Sequence, residues 1–124
     1  MIGTGYAKPQ QGQYAYFAID GDTLARVDLY NPDKRRLVRI IGLDTPETKR
    51  AKCKDEKIKG YEAKARMQEL VVRHSITLVP VKRKDKYGRL LATVYADGKD
   101  VAKIMISEGL GRAYSGKSRR EGWC

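Results

Sequence analysis

Two acidic clusters interrupt a basic chain: Asp20-Gly21-Asp22, and Asp44-Thr45-Pro46-Glu47 after an apolar run. Carboxylates brought together repel one another unless a cation lies between them. A hard divalent ion takes the oxygen ligands that Asp, Glu and main-chain carbonyls supply. No histidine or cysteine adjoins either cluster, which makes zinc, copper and nickel poor candidates, while among hard cations Ca²⁺ tolerates carboxylates, carbonyls and waters in irregular geometry. The same residues also read as a turn and a strand terminator, and spacing alone favours that reading. An EF-hand loop is excluded, because Leu24 supplies no side-chain oxygen and Asn31 stands where a bidentate Glu belongs.

The arginines are the complementary signal. Arg39 sits in an otherwise apolar run, Leu37 to Leu43, where a guanidinium is costly unless it meets an anion. In Asp85-Lys86-Tyr87-Gly88-Arg89 the glycine allows a bend that projects Tyr87 and Arg89 together. The planar fork of arginine suits bidentate phosphate recognition. A solvated hairpin loop is the competing reading. His74 falls near the end of a predicted helix, where a cation suits the helix dipole, and is read as structural.

The elements that must carry these residues follow from periodicity. Residues 1–12 are rich in Gly, Gln and Ala and read as a loose arm, leaving 13–124 as a single domain. Tyr14, Tyr16, Phe17 and Ile19 make a first strand that ends at Asp20-Gly21-Asp22. Leu24 to Tyr30 alternates as a second, and Asn31-Pro32-Asp33-Lys34 is a turn by composition. Arg35 to Leu43 is a third strand. Ala63, Met67, Leu70 and Val71 then form one apolar stripe of a helix. Strands at Ile76–Val81 and Leu90–Ala96 follow, with Pro80 marking an edge or bulge. Asp97-Gly98 is a tight turn, and Asp100 can cap a second helix, with Val101, Ile104 and Met105 inward and Gly109 at its end. Three strands, helix, two strands, helix is an order compatible with a five-stranded OB-type barrel, an α+β chain that is mainly β.

Composition bounds the function. The 124 residues include 26 Lys plus Arg against 15 Asp plus Glu, a formal charge of +11. That length suits one domain, and the excess points to a polyanion: nucleic acid first, an acidic membrane surface second. No apolar run approaches ~18–20 residues, so no membrane span is expected. Two cysteines exclude a disulfide-dense scaffold, and no CxxC pair nucleates a zinc site. Met1 to Tyr6 lack the pattern of a secretory signal, which fits an intracellular protein or a mature form.

Taken in register, five strings resemble the staphylococcal nuclease (thermonuclease) family. They are Ala18-Ile19-Asp20-Gly21-Asp22-Thr23, Arg39 five residues before Asp44-Thr45-Pro46-Glu47-Thr48-Lys49, Asp85-Lys86-Tyr87-Gly88-Arg89, Tyr95-Ala96-Asp97-Gly98-Lys99 and Glu108-Gly109-Leu110. The similarity runs from about Phe17 to Tyr114. It implies an OB-fold barrel with two main helices and a Ca²⁺-dependent nuclease that hydrolyses DNA and RNA, leaving 3′-phosphates. By position, Asp22 and Asp44 would be carboxylate ligands of Ca²⁺ and Thr45 a carbonyl ligand. Glu47 would be the general base, and Arg39 and Arg89 would grip the scissile phosphate. Lys86 and Tyr87 would lie near a terminal phosphate, and Tyr114 would pack against the base. A non-catalytic OB-type nucleic-acid-binding module is the alternative. Such domains replace the acids or arginines, whereas all five stand here.

The chain also departs from the family pattern. Gly116 stands where the type member has a second tyrosine, and the sequence ends at Trp123-Cys124 where that member continues into a third helix. Trp123 is expected to cover part of the barrel instead. The segment from Lys49 to Lys59 reads as a loop with six basic and two acidic residues and an inserted Cys53. Cys53 and Cys124 occupy the two departing regions, and a disulfide between them would tie down the short tail and indicate a secreted or periplasmic protein. A monomer is expected. The basic excess falls in 49–59, 82–89 and Arg112 to Arg120.

Overall fold

The computed structural model describes residues 13–116 and 121–124; the arm expected over 1–12 lies outside them, as do the last residues of the 112–120 basic segment. The chain runs β1 (Tyr14–Asp20), β2 (Thr23–Asp28), β3 (Asn31–Ile40), β4 (Gly42–Asp44), α1 (Lys54–Arg73), β5 (Ile76–Lys84), β6 (Leu90–Ala96), β7 (Lys99–Asp100), α2 (Val101–Ser107) and β8 (Arg112–Tyr114). The main sheet has the order β1-β2-β3-β6-β5, with β7 alongside β6, and β4 pairs separately with β8. β3 and β6 are parallel; the other pairs are antiparallel. The result is the expected mainly β, α+β architecture with two helices, its sheet not closed into a continuous ladder. No described helix is long and apolar enough to cross a membrane.

The core forms where the strand and helix periods face each other. Leu24, Val38, Ile40, Leu43, Met67, Val94, Val101 and Met105 are fully buried, and each large apolar side chain so placed contributes about 1.5–3 kcal/mol. The stripe Ala63, Met67, Leu70 and Val71 points inward, and Gln68 on α1 accepts a hydrogen bond from the Ala18 amide of β1 at 2.7 Å. Asp100 caps α2 through the Ala102 amide at 2.8 Å, while Asp97 and Gly98 both take positive φ in the tight turn before it. Pro80 lies on β5, at one end of the sheet order, where the register against β6 shifts.

Three expectations are corrected. The turn after β2 falls at Leu29-Tyr30, because Asp28 accepts from the Tyr30 amide at 2.9 Å. Asn31 already pairs with Asp28 as part of β3. The expected strand from Arg35 to Leu43 breaks at Ile41, where Gly42 takes φ +85° and redirects the chain into β4. The expected loop from Lys49 to Lys59 is helical from Lys54 onward. His74 ends α1, as expected, with its Nδ1 2.7 Å from the Asp97 carboxylate.

Candidate active site

The acidic clusters meet because two turns are threaded under a helix. Asp22, at the mouth of the β1–β2 turn, accepts from the Thr45 amide at 3.0 Å. Thr48 donates to Asp20 at 2.6 Å. These bonds bind the segment after β4 to the β1–β2 turn, so Asp22, Asp44 and Thr45 lie together, all buried. The packing leaves no room for side chains at three positions. A Cβ on Gly21 would meet Thr45 at 2.7 Å, one on Gly111 would meet Leu43 at 2.6 Å, and one on Gly60 would meet the Glu47 carbonyl oxygen at 2.1 Å. Three hydrogens therefore set the position of the Asp44–Glu47 segment.

Arg39 answers the question raised by its apolar strand. Its Nη1 donates to the carbonyl oxygens of Leu43 (2.8 Å), Ile40 (2.9 Å) and Asp22 (3.3 Å). Its Nη2 lies 3.5 Å from the Asp22 carboxylate. Across the cleft, Arg89 is aimed by Asp85, whose carboxylate accepts from the Arg89 side chain and from the Arg89 and Tyr87 amides. Gly88 takes φ +78° to close that loop. Burial works to raise the Asp85 pKa, but the bonds from Arg89 and Tyr87 outweigh it and hold the carboxyl below its usual range.

Asp22, Arg39, Glu47, Tyr87 and Arg89 line one cleft of about 570 Å³, together with the cations Lys49, Arg50 and Lys64. An adjoining cavity shares Arg39, Tyr87 and Arg89 and adds Lys86 and Tyr114. The Tyr114 ring lies 6.0 Å from the Arg39 guanidinium and the Tyr87 ring 5.3 Å from that of Arg89. Every residue singled out for chemistry thus lies in this double cleft or, for Asp44 and Thr45, buried beside it. Cys53 and Cys124 are joined by a disulfide. Trp123 stacks on Arg112 at 3.5 Å, on the strand that pairs with β4.

Sequence reasoning missed Glu56. It is buried on the first turn of α1, and its two carboxylate oxygens accept from the Glu47 amide (3.1 Å) and the Lys52 amide (2.8 Å). Cys53 caps the helix and accepts from the Glu56 amide. Glu three residues after a cap is the spacing of a capping box, a signal hidden because the cap here is a cysteine.

As a metal site the cluster offers hard oxygen donors only: two aspartates and a main-chain carbonyl. Among the described residues no group of three or more His, Cys, Asp and Glu side chains suited to a metal occurs. That donor set fits a cation completing its shell with water and phosphate oxygens, as Ca²⁺ and Mg²⁺ do.

Residues 37–122 match the family described as staphylococcal nuclease homologue. The chain is 45% identical over 97 residues to "Endonuclease YncB" of Bacillus subtilis, covering 77% of this chain and 44% of that protein. It is 43% identical over 97 residues to the same organism's "SPbeta prophage-derived endonuclease YokF", covering 77% and 31%. An "Uncharacterized endonuclease" of Escherichia coli is 31% identical over 97 residues, covering 77% and 56%. The chain spans less than half the length of the two Bacillus subtilis relatives.

Proposed function

The chain belongs to the staphylococcal nuclease family, and from that premise we propose that it is a Ca²⁺-dependent nuclease that hydrolyses DNA and RNA with little sequence specificity. The observation that carries this reading is the single cleft lined by Asp22, Arg39, Glu47 and Arg89. A phosphodiester is anionic and repels a nucleophile, so its charge must be offset first. Arg39 and Arg89 hold the non-bridging oxygens and gain strength as charge builds there; one such preorganised donor is worth about 10²–10³ in rate. Asp22, Asp44 and the Thr45 carbonyl would hold Ca²⁺, which supplies further neutralisation of the phosphate and a more acidic water. Glu47 orients a water and takes its proton, a role worth about 10²–10⁴. The water oxygen bonds to phosphorus as the bond to the 5′-oxygen breaks. The leaving oxygen picks up a proton from solvent, and the phosphate stays on the 3′ side. Lys86 and Tyr87 contact a terminal phosphate, and Tyr114 flanks the base.

The surrounding cations hold the backbone without reading bases, so affinity should fall steeply with salt. The disulfide suits an oxidising compartment, which supports a secreted or periplasmic location, and a monomer is part of the same proposal. The test is plasmid digestion with Ca²⁺, Mg²⁺ or EDTA, repeated with Glu47→Gln. Cleavage that needs Ca²⁺ and drops by at least ~10² in the variant supports the reading. Retained DNA binding with no cleavage under any condition replaces it with a non-catalytic binding module.

A further inference from the structure

The outer face of the β1–β2–β3 sheet continues directly out of the cleft. β3 pairs with β2 through Thr23↔Arg39, Ala25↔Leu37 and Val27↔Arg35. The two-residue period of a strand therefore puts Arg35, Leu37 and Arg39 on one side. Phe17 on β1 lies opposite Ala25, and its ring is 5.4 Å from the Arg35 guanidinium. Ile19 and Leu37 are apolar members of the cleft lining, beside Arg39. Arg35 is exposed, Leu37 is 37% exposed, and Phe17 and Ile19 are half-buried. The face thus reads arginine, leucine, arginine along β3, with phenylalanine and isoleucine beside it.

We propose that this strip is an extended binding surface for a nucleic-acid strand flanking the reactive phosphate. Leaving Arg39, the strand lays one base against Leu37 and Ile19, and a further base against the ring of Phe17 and the plane of Arg35. Arg35 lies about 13 Å along β3 from Arg39, a span of a few extended nucleotides. Alternating flat or apolar surfaces with guanidinium groups is what a single strand needs, because every base offers a π-face and every link a charge. Charge complementarity favours this occupant: Arg35 and Arg39 stand on the strip itself, and Lys49, Arg50 and Lys64 line the cleft at its Arg39 end. Continuity favours it too, since Leu37 and Arg39 belong to both strip and cleft. The proposal rests on the nuclease reading only for placing the reactive phosphate at Arg39.

The test compares a single-stranded DNA oligonucleotide of about 12 nucleotides, within the reach of an OB fold, with a dinucleotide. Wild type, Arg35→Ala and Phe17→Leu are assayed for KM and kcat on both. Each variant should raise KM for the oligonucleotide about tenfold more than for the dinucleotide. Arg35→Ala should also reduce the salt slope of binding by about 0.7. Equal effects on both substrates, or none on either, overturn the proposal. If the wild-type chain cleaves neither, the nuclease reading fails, and fluorescence anisotropy of the labelled oligonucleotide without metal decides the strip. Weaker binding by Arg35→Ala than by wild type then upholds it. Equal binding, or no binding by wild type, removes it.

Discussion

Replacing Gly60 by alanine isolates the contact between α1 and the segment bearing Glu47. By helix propensity alone the change should help, since glycine inside a helix costs about 1 kcal/mol relative to alanine. The packing predicts the opposite. The new Cβ would lie 2.1 Å from the Glu47 carbonyl oxygen, 2.6 Å from its carbon and 3.0 Å from the Pro46 carbonyl oxygen. Ordinary contact begins near 3.4 Å, so helix and segment must separate by about 1.3 Å. The obstacle is backbone and cannot rotate away. Overpacking of this kind costs about 1–3 kcal/mol, which the propensity gain partly offsets, so the variant should still fold with Tm lowered by only a few degrees. Its activity should suffer far more, because a displacement near 1 Å of a reacting group costs about 10² in rate. The assay is kcat/KM on an oligonucleotide beside thermal melting, with the Glu47 and Thr48 amide shifts followed by NMR. A variant with near wild-type activity, unmoved amides and unchanged or raised Tm would refute the seating of this segment against α1.

Glu56→Gln leaves one acceptor and turns an amide NH₂ toward a backbone N–H, so the paired hold on the Glu47 and Lys52 amides is broken. We expect kcat to fall about tenfold with KM nearly constant and about 1–3 kcal/mol of stability lost; wild-type kcat at a lowered Tm would reduce Glu56 to a helix-start residue. For Asp85, whose folded pKa is depressed, the stabilising contribution is complete above its unfolded value near pH 4 and is lost as pH falls through the lower folded value. The acid limb of Tm against pH should therefore flatten in Asp85→Asn, and an identical limb would contradict the account. Opening the Cys53–Cys124 bridge, which closes a loop with sequence separation 71, should remove about 4 kcal/mol by chain-entropy reasoning. A Tm unaffected by dithiothreitol would show that the bridge does not form.

What was legible in the sequence and what was not divides along a physical line. The Ala63–Val71 stripe, the Asp100 cap and the Asp97-Gly98 turn are local patterns, and each is set by residues a few positions apart. The first two turns of α1 carry no such pattern. Their only large apolar residue, Ile58, is 50% exposed, while the buried positions are Glu56 and Gly60. A carboxylate and a hydrogen leave no hydrophobic period to read. The turn after β2 was masked in the same way, since Asn31-Pro32-Asp33 has turn composition, but Asn31 pairs with Asp28 and the residues after it fall in a register shift within β3. The candidate site residues stood out as motifs, but their supports did not. Gly21, Gly60 and Gly111 matter through approaches by distant backbone and side chains, and only the folded chain brings those together.

The ties of Arg39 have a consequence for how the site comes into being. One guanidinium nitrogen bonds the β1–β2 turn, the end of β3 and β4 at once. Two of these partners, the Asp22 and Leu43 carbonyls, are in place only once the hairpin and the strand after it have docked. The cleft-facing edge of Arg39 is therefore oriented by the completed assembly rather than by any piece of it. A partly folded chain would hold the same residues yet lack the aimed charge. In a denaturant titration, activity should vanish with the global transition and leave no weakly active intermediate.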